Sequence, residues 1–319
     1  MNAKQVHVSE KVATGTANSK LILVGEHAVV HGKPAIAIPF PLVGVESVVE
    51  HVPGKVKLDS AFYHGPIESA PENLTGIVRV IEETLERVDL PVRDLLIQIK
   101  SSIPPGKGLG SSASVAIAVV KSLFNYAEVS YTDEELLELV NIAETYAHGK
   151  PSGIDSLTIT SKSPVWFEME EPANYIEPND DFHFVVADTG RAADTKTAIE
   201  SITRLLRSAP KRFNAKLDRI GEITYQVRDA LIKGGKYVLG QLLTEAQKEL
   251  EALGVSDAVL NRLIYFAMKE GALGAKLTGG GNGGCIIALA KDESHSKQLS
   301  EKLIKYGAQA VWPFVLKKE

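Results

Sequence analysis

The sequence predicts an α+β fold, because strand-like and helix-like runs follow one another without the strict alternation of a doubly wound parallel sheet. Strand-like apolar runs fill the first part of the chain, a long helical stretch fills the second half, and strands return near the end. No internal repeat is visible in this order. The 319 residues suffice for two domains, or for one large domain, around a buried core.

Runs of β-branched and aliphatic residues predict the strands, and apolar residues at helical spacing predict the helices. We expect strands at 21–24, 35–38, 43–49, 56–58, 95–99, 156–160, 165–168, 182–187, 274–277, 285–290 and 308–316. We expect helices at 73–88, at 111–126, from Thr132 to about 147, through a long stretch broken at Pro210, Gly234-Gly235 and Gly254, and from about 294. The helix at 111–126 is apolar on almost every side and should be buried, and Thr132 with Glu135 has capping-box spacing.

The segment 170–181 concentrates acidic residues, prolines and asparagines, and is the best candidate for a domain boundary. We therefore expect an N-terminal domain over 1–178 and a C-terminal domain over 179–319.

Composition narrows the class of protein. The net charge of -5 and the pI of about 6.0 do not favour a nucleic-acid or anionic-membrane partner. Cys285 is the single cysteine, which excludes a disulfide framework and a thiolate metal site and favours a reducing, cytoplasmic compartment. Residues 1–9 lack an export-signal pattern, and no apolar run reaches the length of a membrane span.

A glycine-rich loop leading directly into a helix is the strongest local signal, with the sequence Gly106-Lys107-Gly108-Leu109-Gly110-Ser111-Ser112. Closely spaced glycines let backbone amides approach a ligand, and a helix N-terminus adds unpaired N–H groups and a positive dipole end. This combination suits a polyphosphate, although the spacing matches neither the Walker loop nor the dinucleotide-binding fingerprint. An ordinary tight loop capped by serine is the alternative.

Residues 278–284 hold a second cluster, with five glycines among seven residues between two predicted strands. Such density indicates close approach of the backbone to another group. A flexible hairpin is the alternative.

Charged side chains flank these loops in sequence. Lys20, Glu26 and His27 surround a short apolar strand, which could place them at one end of a cleft, although a lone histidine is more often structural. Glu144 on a predicted helix and Asp155 after a Pro/Gly turn could serve as a magnesium ligand and a hydroxyl-orienting base, or else as a solvated helix face and a turn residue. Two glycine loops, two acids and a lysine favour phosphoryl transfer, which depends mainly on positioning and charge neutralisation.

The sequence resembles the GHMP kinases at two motifs that have the order and separation found in that family. Residues 104–113 are similar to its phosphate loop, and residues 276–284 are similar to its C-terminal glycine motif. Residues 25–35, which include Gly-Glu-His-Ala-Val-Val, and residues 148–155, His-Gly-Lys-Pro-Ser-Gly-Ile-Asp, resemble the branch that phosphorylates mevalonate. The galactose branch instead continues Gly-Glu-His with Thr-Asp-Tyr.

The resemblance implies a two-lobed fold with a left-handed βαβ unit in the N-terminal, ATP-binding lobe. It implies Ser112 and Glu144 as ligands of Mg²⁺, and Asp155 with Lys20 as the catalytic pair. The C-terminal lobe would lie on the substrate side. The implied substrate-binding residues are Lys20, Glu26, His27, Asp155 and Thr189. The implied ATP-binding residues are Pro105, Gly106, Lys107, Gly108, Leu109, Gly110, Ser111, Ser112, Gly280 and Gly281.

The implied activity is ATP-dependent phosphorylation of the primary hydroxyl of mevalonate, in isoprenoid precursor biosynthesis. A kinase for phosphomevalonate or for another small alcohol is the nearest alternative, and a non-catalytic nucleotide-binding sensor is an alternative of a different class. We expect ATP and mevalonate as ligands, no nucleic acid or membrane partner, and a homodimer as one option. The chain is shorter than the animal members, which puts feedback inhibition by prenyl diphosphates in doubt.

Overall fold

The computed structural model describes residues 11–149, 151–193 and 195–318, except for the side chains of 147, 148, 195 and 196. Residues 1–9, whose pattern predicts no export signal, and Lys150 of the 148–155 motif lie outside this part of the chain.

The described residues form strands connected by turns, short 3-10 helices and α-helices. The strands are β1 Val12–Val24, β2 Ala35–His51, β3 Lys57–Ser60, β4 Tyr63–Pro66, β5 Leu95–Ser101, β6 Val165–Phe167, β7 Asn174–Tyr175, β8 Phe182–Asp188, β9 Gly274–Thr278, β10 Cys285–Leu289 and β11 Ala310–Leu316. The α-helices are α1 Thr75–Arg87, α2 Ser111–Ala127, α3 Asp133–His148, α4 Ile154–Thr160, α5 Thr195–Ser208, α6 Pro210–Lys233, α7 Lys236–Ala252, α8 Ala258–Lys269 and α9 Glu293–Lys305. This mixture of helices with two sheets confirms the mixed fold class.

The chain divides into two compact units. Unit 1 comprises the described residues up to Asn18, Val43–Ile103 and the described residues of Ser111–Thr160. Unit 2 comprises Ser19–Leu42, Pro104–Gly110 and the chain from Ser161 onwards. β1 and β2 each contribute residues to both units.

In unit 1, β5 lies between β3, to which it is parallel, and β2, to which it is antiparallel, and β3 also pairs with β4. The helices α1, α2 and α3 pack on one another, and α4 packs on α2 and α3. As predicted, α2 is largely buried, and the capping box of Thr132 and Glu135 forms at the start of α3. Gly15 allows β1 to approach α2 closely, since a Cβ atom there would lie 2.3 Å from the carbonyl oxygen of Ala118.

In unit 2, an antiparallel sheet has the strand order β11-β8-β10-β9. The helices α7, α8 and α9 pack on this sheet, α6 packs on α7, and α5 packs on α6. The buried core of the unit includes Leu217, Leu263, Leu277 and Ile286, which come from α6, α8, β9 and β10. The first residues of β2 pair with β6, which pairs with β7.

The predicted strand at 156–160 is wrong, because these residues belong to helix α4. Its threonine residues are of a type that favours a strand. In the structure their hydroxyls donate to helix carbonyls, as in the 2.6 Å bond from Thr158 Oγ1 to the Ile154 oxygen and the 3.0 Å bond from Thr160 Oγ1 to the Ser156 oxygen. Those bonds satisfy the side chains within the helix.

The predicted strands at 35–38 and 43–49 are parts of the single strand β2. Pro39 and Pro41 lie between the stretch paired with β6 and the stretch paired with β5. A proline has no N–H group to contribute to a ladder, and those two registers need none there.

Candidate active site

The predicted phosphate loop is irregular and runs directly into α2, as expected. Gly106, Gly108 and Gly110 have φ angles of 67°, 73° and 74°, in the left-handed region that favours glycine. Ser111 and Ser112 occupy the first two positions of α2. Amides at those positions have no partner within the helix, so they are available to an anion.

The two glycine clusters contact each other through their backbones. A Cβ atom on Gly108 would lie 3.4 Å from the Cα atom of Gly279 and 3.5 Å from the backbone nitrogen of Gly280. Gly281 packs against Val255, since a Cβ atom on Gly281 would lie 2.0 Å from the carbonyl oxygen of Val255. The structure therefore brings together the phosphate loop and the predicted ATP-binding residues Gly280 and Gly281.

The phosphate loop is also joined to β1 next to the predicted catalytic lysine. The carbonyl oxygen of Leu109 accepts from the backbone nitrogen of Lys20 at 3.3 Å and from Ser19 Oγ at 2.6 Å. The side chain of Lys20 is buried. Lys20 therefore lies beside the end of the loop, on a strand that fixes its backbone.

The side chain of Lys107 is directed into the protein. Its ammonium lies 2.8 Å from Asp188 Oδ1 and donates to the carbonyl oxygen of Arg191 at 2.9 Å. Asp188 Oδ1 also accepts from the backbone nitrogen of Gly190 at 2.8 Å. Because the ammonium of Lys107 is engaged in these contacts, the backbone of Lys107 is the group better suited to contact ATP.

Thr189, predicted at the substrate side, follows β8 and is tied to the second glycine cluster. Its Oγ1 donates to the carbonyl oxygen of Gly284 at 2.7 Å, and its backbone nitrogen donates to the same oxygen at 3.0 Å. These bonds fix the position of the Thr189 side chain relative to the glycine cluster.

Glu26 forms a buried ion pair with Lys276, which lies in the middle of β9. Burial raises the pKa of the Glu26 carboxyl above its ordinary value, against the opposing effect of the positive charges on Lys276 and Lys20. Burial likewise lowers the pKa of Lys276. Each charge depends on the other for compensation, because neither group has water to replace its partner.

His27 adopts a left-handed backbone conformation with a φ of 61°, which is uncommon outside glycine. Its buried Nε2 lies 3.0 Å from the carbonyl oxygen of Gly280. Burial lowers the pKa of His27 to about 4, an effect that the charge on Lys276 reinforces and the bond to Gly280 opposes. The ring is therefore neutral at pH 7, and we assign its proton to Nε2, because a carbonyl oxygen can only accept.

The predicted magnesium ligands and the predicted base lie on three helices of unit 1 that pack on one another. Ser112 is on α2, Glu144 is buried on α3, and Asp155 is in the first turn of α4. Within the described residues, no group of three or more His, Cys, Asp or Glu side chains could hold a metal. A serine hydroxyl and a carboxylate are oxygen donors of the kind that Mg²⁺ takes alongside nucleotide phosphates.

Three residues important for this arrangement were not among the predicted site residues, namely Asp188, Arg191 and Lys276. Lys276 had one available signal, since it is a lysine within an otherwise apolar strand beside the glycine cluster.

Cys285 is a buried free thiol, and burial raises its pKa. Within the described part of the chain, no helix is both long enough and apolar enough for a bilayer span.

Two family models and several known proteins match the sequence of this chain. Residues 74–162 match the family model of the GHMP kinases N terminal domain, and residues 227–309 match that of the GHMP kinases C terminal. The mevalonate kinase of Thermococcus gammatolerans is 32% identical over 301 residues, which cover 87% of this chain and 89% of the relative. That of Thermococcus onnurineus is 33% identical over 300 residues, with the same coverage of 87% and 89%.

The crystal structure of L. major mevalonate kinase in complex with R-mevalonate resembles this fold with a TM-score of 0.84 at 25% identity, covering 98% of each chain. These matches, together with the fold, define a kinase that acts on a small molecule. The chain belongs to the GHMP kinase family.

Proposed function

We propose that this chain transfers the γ-phosphoryl group of ATP to the primary C5 hydroxyl of mevalonate, giving 5-phosphomevalonate and ADP for isoprenoid precursor biosynthesis. The contact of Gly108 with Gly279 and Gly280 carries the nucleotide part of this proposal, because it aligns two backbone segments that suit a polyphosphate. The two Thermococcus relatives, both named mevalonate kinases, support the choice of acceptor.

In this proposal ATP binds through the backbone amides of 106–112 and through Gly280 and Gly281. Pro105, immediately before these amides, also lines the ATP site. Ser112 and Glu144 would hold Mg²⁺, which when bound supplies positive charge against the phosphate oxygens. The N-terminus of α2 adds favourable charge to the same phosphates.

Asp155 orients the substrate hydroxyl and accepts its proton. An alcohol is a poor nucleophile at neutral pH, and phosphoryl transfer through a loose transition state requires alignment more than basicity. In this proposal Lys20 stabilises charge on the transferred group.

Glu26, His27 and Thr189 position mevalonate in this proposal. A neutral His27 with its proton on Nε2 offers Nδ1 as an acceptor. Glu26, whose charge is compensated by that of Lys276, supports the backbone next to His27.

Other features stay predictions. These are the two-lobed arrangement, the left-handed βαβ unit, the cytoplasmic location and the homodimer. The division at 178 into an ATP-binding lobe and a substrate-side lobe also stays a prediction. The N-terminal and C-terminal family models match on opposite sides of that residue, whereas the compact units place 19–42, 104–110 and 161–178 with the C-terminal residues.

A coupled ADP-release assay tests the proposal with mevalonate, phosphomevalonate, galactose and homoserine as acceptors. We expect kcat/KM for mevalonate to exceed that for each other acceptor by about a hundredfold or more. Comparable values for mevalonate and phosphomevalonate would favour the alternative substrate. ATP binding without phosphorylation of any acceptor would favour the nucleotide-binding sensor.

A further inference from the structure

We propose that the Lys107 side chain is a positioning residue, whose ion pair with Asp188 fixes the phosphate loop against residues 188–193 and so couples ATP binding to the substrate side at Thr189. This inference rests on the proposed function, since it assumes that ATP binds at the phosphate loop.

The ion pair is buried at both ends, in contrast to most ion pairs among the described residues. The Lys107 and Asp188 side chains are 8% and 4% exposed, and the atoms lie 2.8 Å apart. The same ammonium donates to the carbonyl oxygen of Arg191 at 2.9 Å. An ammonium has three protons to donate, and two of them are directed at residues 188–191.

Swinging the ammonium of Lys107 towards a bound phosphate would leave the Asp188 carboxylate buried without its cation. Such a carboxylate is costly, because little water reaches it to replace the lost partner. The paired charges also cancel in large part, so the pair adds little net attraction for ATP. The arrangement therefore suits a structural anchor for the loop backbone.

Backbone contacts on both sides of the ion pair hold the same two segments together. The backbone nitrogen of Ala193 donates to the carbonyl oxygen of Gly106 at 2.6 Å. A Cβ atom on Gly284 would lie 3.1 Å from the carbonyl oxygen of Lys107, and one on Gly283 would lie 2.2 Å from that of Ala192. Three backbone segments thus meet around Lys107 with no room for a side chain between them.

Thr189 and Arg191 extend this contact in two directions. Thr189, the neighbour of Asp188, donates through Oγ1 to the carbonyl oxygen of Gly284. The Arg191 guanidinium pairs with Asp257, whose carboxylate caps α8. A shift of the phosphate loop would therefore displace the segment that carries Thr189.

A double-mutant cycle tests the inference with Lys107→Met, Asp188→Asn and the double variant. The dissociation constant of ATP is measured by calorimetry with and without mevalonate, well below the unfolding temperature of each variant. We expect each single variant to weaken ATP binding by about tenfold and the double variant to be no weaker than the worse single one. We also expect the effect of mevalonate on ATP affinity to fall in all three.

Two further variants separate positioning from simple stability. Lys107→Arg keeps the charge and should restore ATP affinity to within about threefold of the wild type. Lys233→Met removes the cation of an exposed pair with Asp229 in the same unit, and should leave ATP affinity and its dependence on mevalonate unchanged.

Several outcomes would overturn the inference alone. If Asp188→Asn bound ATP as well as the wild type while Lys107→Met did not, the ammonium would contact the nucleotide directly. Additive losses in the double variant, or unchanged affinities in variants that are merely less stable, would also contradict it. A wild-type protein that bound no ATP would overturn the proposed function together with the inference.

Discussion

Lys276 and Glu26 form an ion pair whose side chains are 0% and 2% exposed, although the residues lie 250 positions apart in the chain. The pair joins the middle of β9, which leads into the second glycine cluster, to the segment that follows β1. His27, the next residue after Glu26, lies against Gly280 of that cluster. Two elements of the proposed site are therefore fixed to each other by a buried charge pair and a hydrogen bond.

Breaking this pair should destabilise the protein strongly. Lys276→Met leaves the Glu26 carboxylate buried without compensation, and we expect a loss of about 3–5 kcal/mol in the free energy of unfolding. Urea unfolding at pH 7 measures it. The double variant Glu26→Gln with Lys276→Met should lose less than the sum of the single losses, because no unpaired charge remains.

The matched control is Lys233→Met, which removes the cation of the exposed pair with Asp229 and should change stability by less than about 1 kcal/mol. Equal losses for Lys276→Met and Lys233→Met would show that the buried pair has no special role.

His27 should make stability depend on pH between about 6.5 and 4. The unfolded chain gains a proton on this residue as the pH falls below 6.5, whereas burial lowers the pKa of His27 in the folded state to about 4. The contribution of His27 to the free energy of unfolding is therefore fully present above pH 6.5 and is lost as the pH falls through this window. From pH 7 to pH 5 we expect a loss of about 2 kcal/mol from this group.

His27→Asn tests this contribution, since asparagine tolerates the left-handed backbone conformation found at His27. Urea unfolding across the same pH range should show a shallower decline for the variant than for the wild type. Parallel curves would mean that His27 titrates alike in the folded and unfolded states.

Removal of a predicted magnesium ligand should affect turnover more than folding. We expect Glu144→Gln and Ser112→Ala to lower kcat by about tenfold or more and to raise the Mg²⁺ concentration at half-maximal rate, because each removes an oxygen donor. Initial rates against MgCl₂ at fixed ATP measure both effects.

Glu134→Gln, an exposed glutamate in the first turn of the same helix, is the control and should behave as the wild type. The ligand assignment fails if Glu144→Gln keeps both the turnover and the magnesium dependence of the wild type.

Much of the fold follows from local sequence. The capping box at Thr132, the buried character of α2 and the breaks at Pro210 and Gly234-Gly235 are encoded by neighbouring residues, and the structure confirms them. The segment that forms α4 was predicted as a strand, and its threonines are of a residue type common in strands. Packing on α2 and α3 favours the helix there.

The glycine clusters could be found from composition, but the ion pairs around them could not. Lys107 gives no local sign that its ammonium meets Asp188, because burial and pairing depend on how distant segments pack. The same holds for Lys276 and Glu26, and for the left-handed conformation of His27, a residue type that rarely adopts it. The contact of Gly108 with Gly279 likewise required the fold.

The central claim is that Asp155 and Lys20 act together in phosphoryl transfer to mevalonate, and kcat for wild type, Asp155→Asn, Lys20→Met and the double variant tests it most directly. Asp155→Asn keeps the shape but removes the charge, so kcat should fall by about a hundredfold or more while ATP still binds. Lys20→Met should be similarly damaging, and the double variant little worse than the worse single one. An active Asp155→Asn enzyme, or losses that multiply in the double variant, would contradict the account.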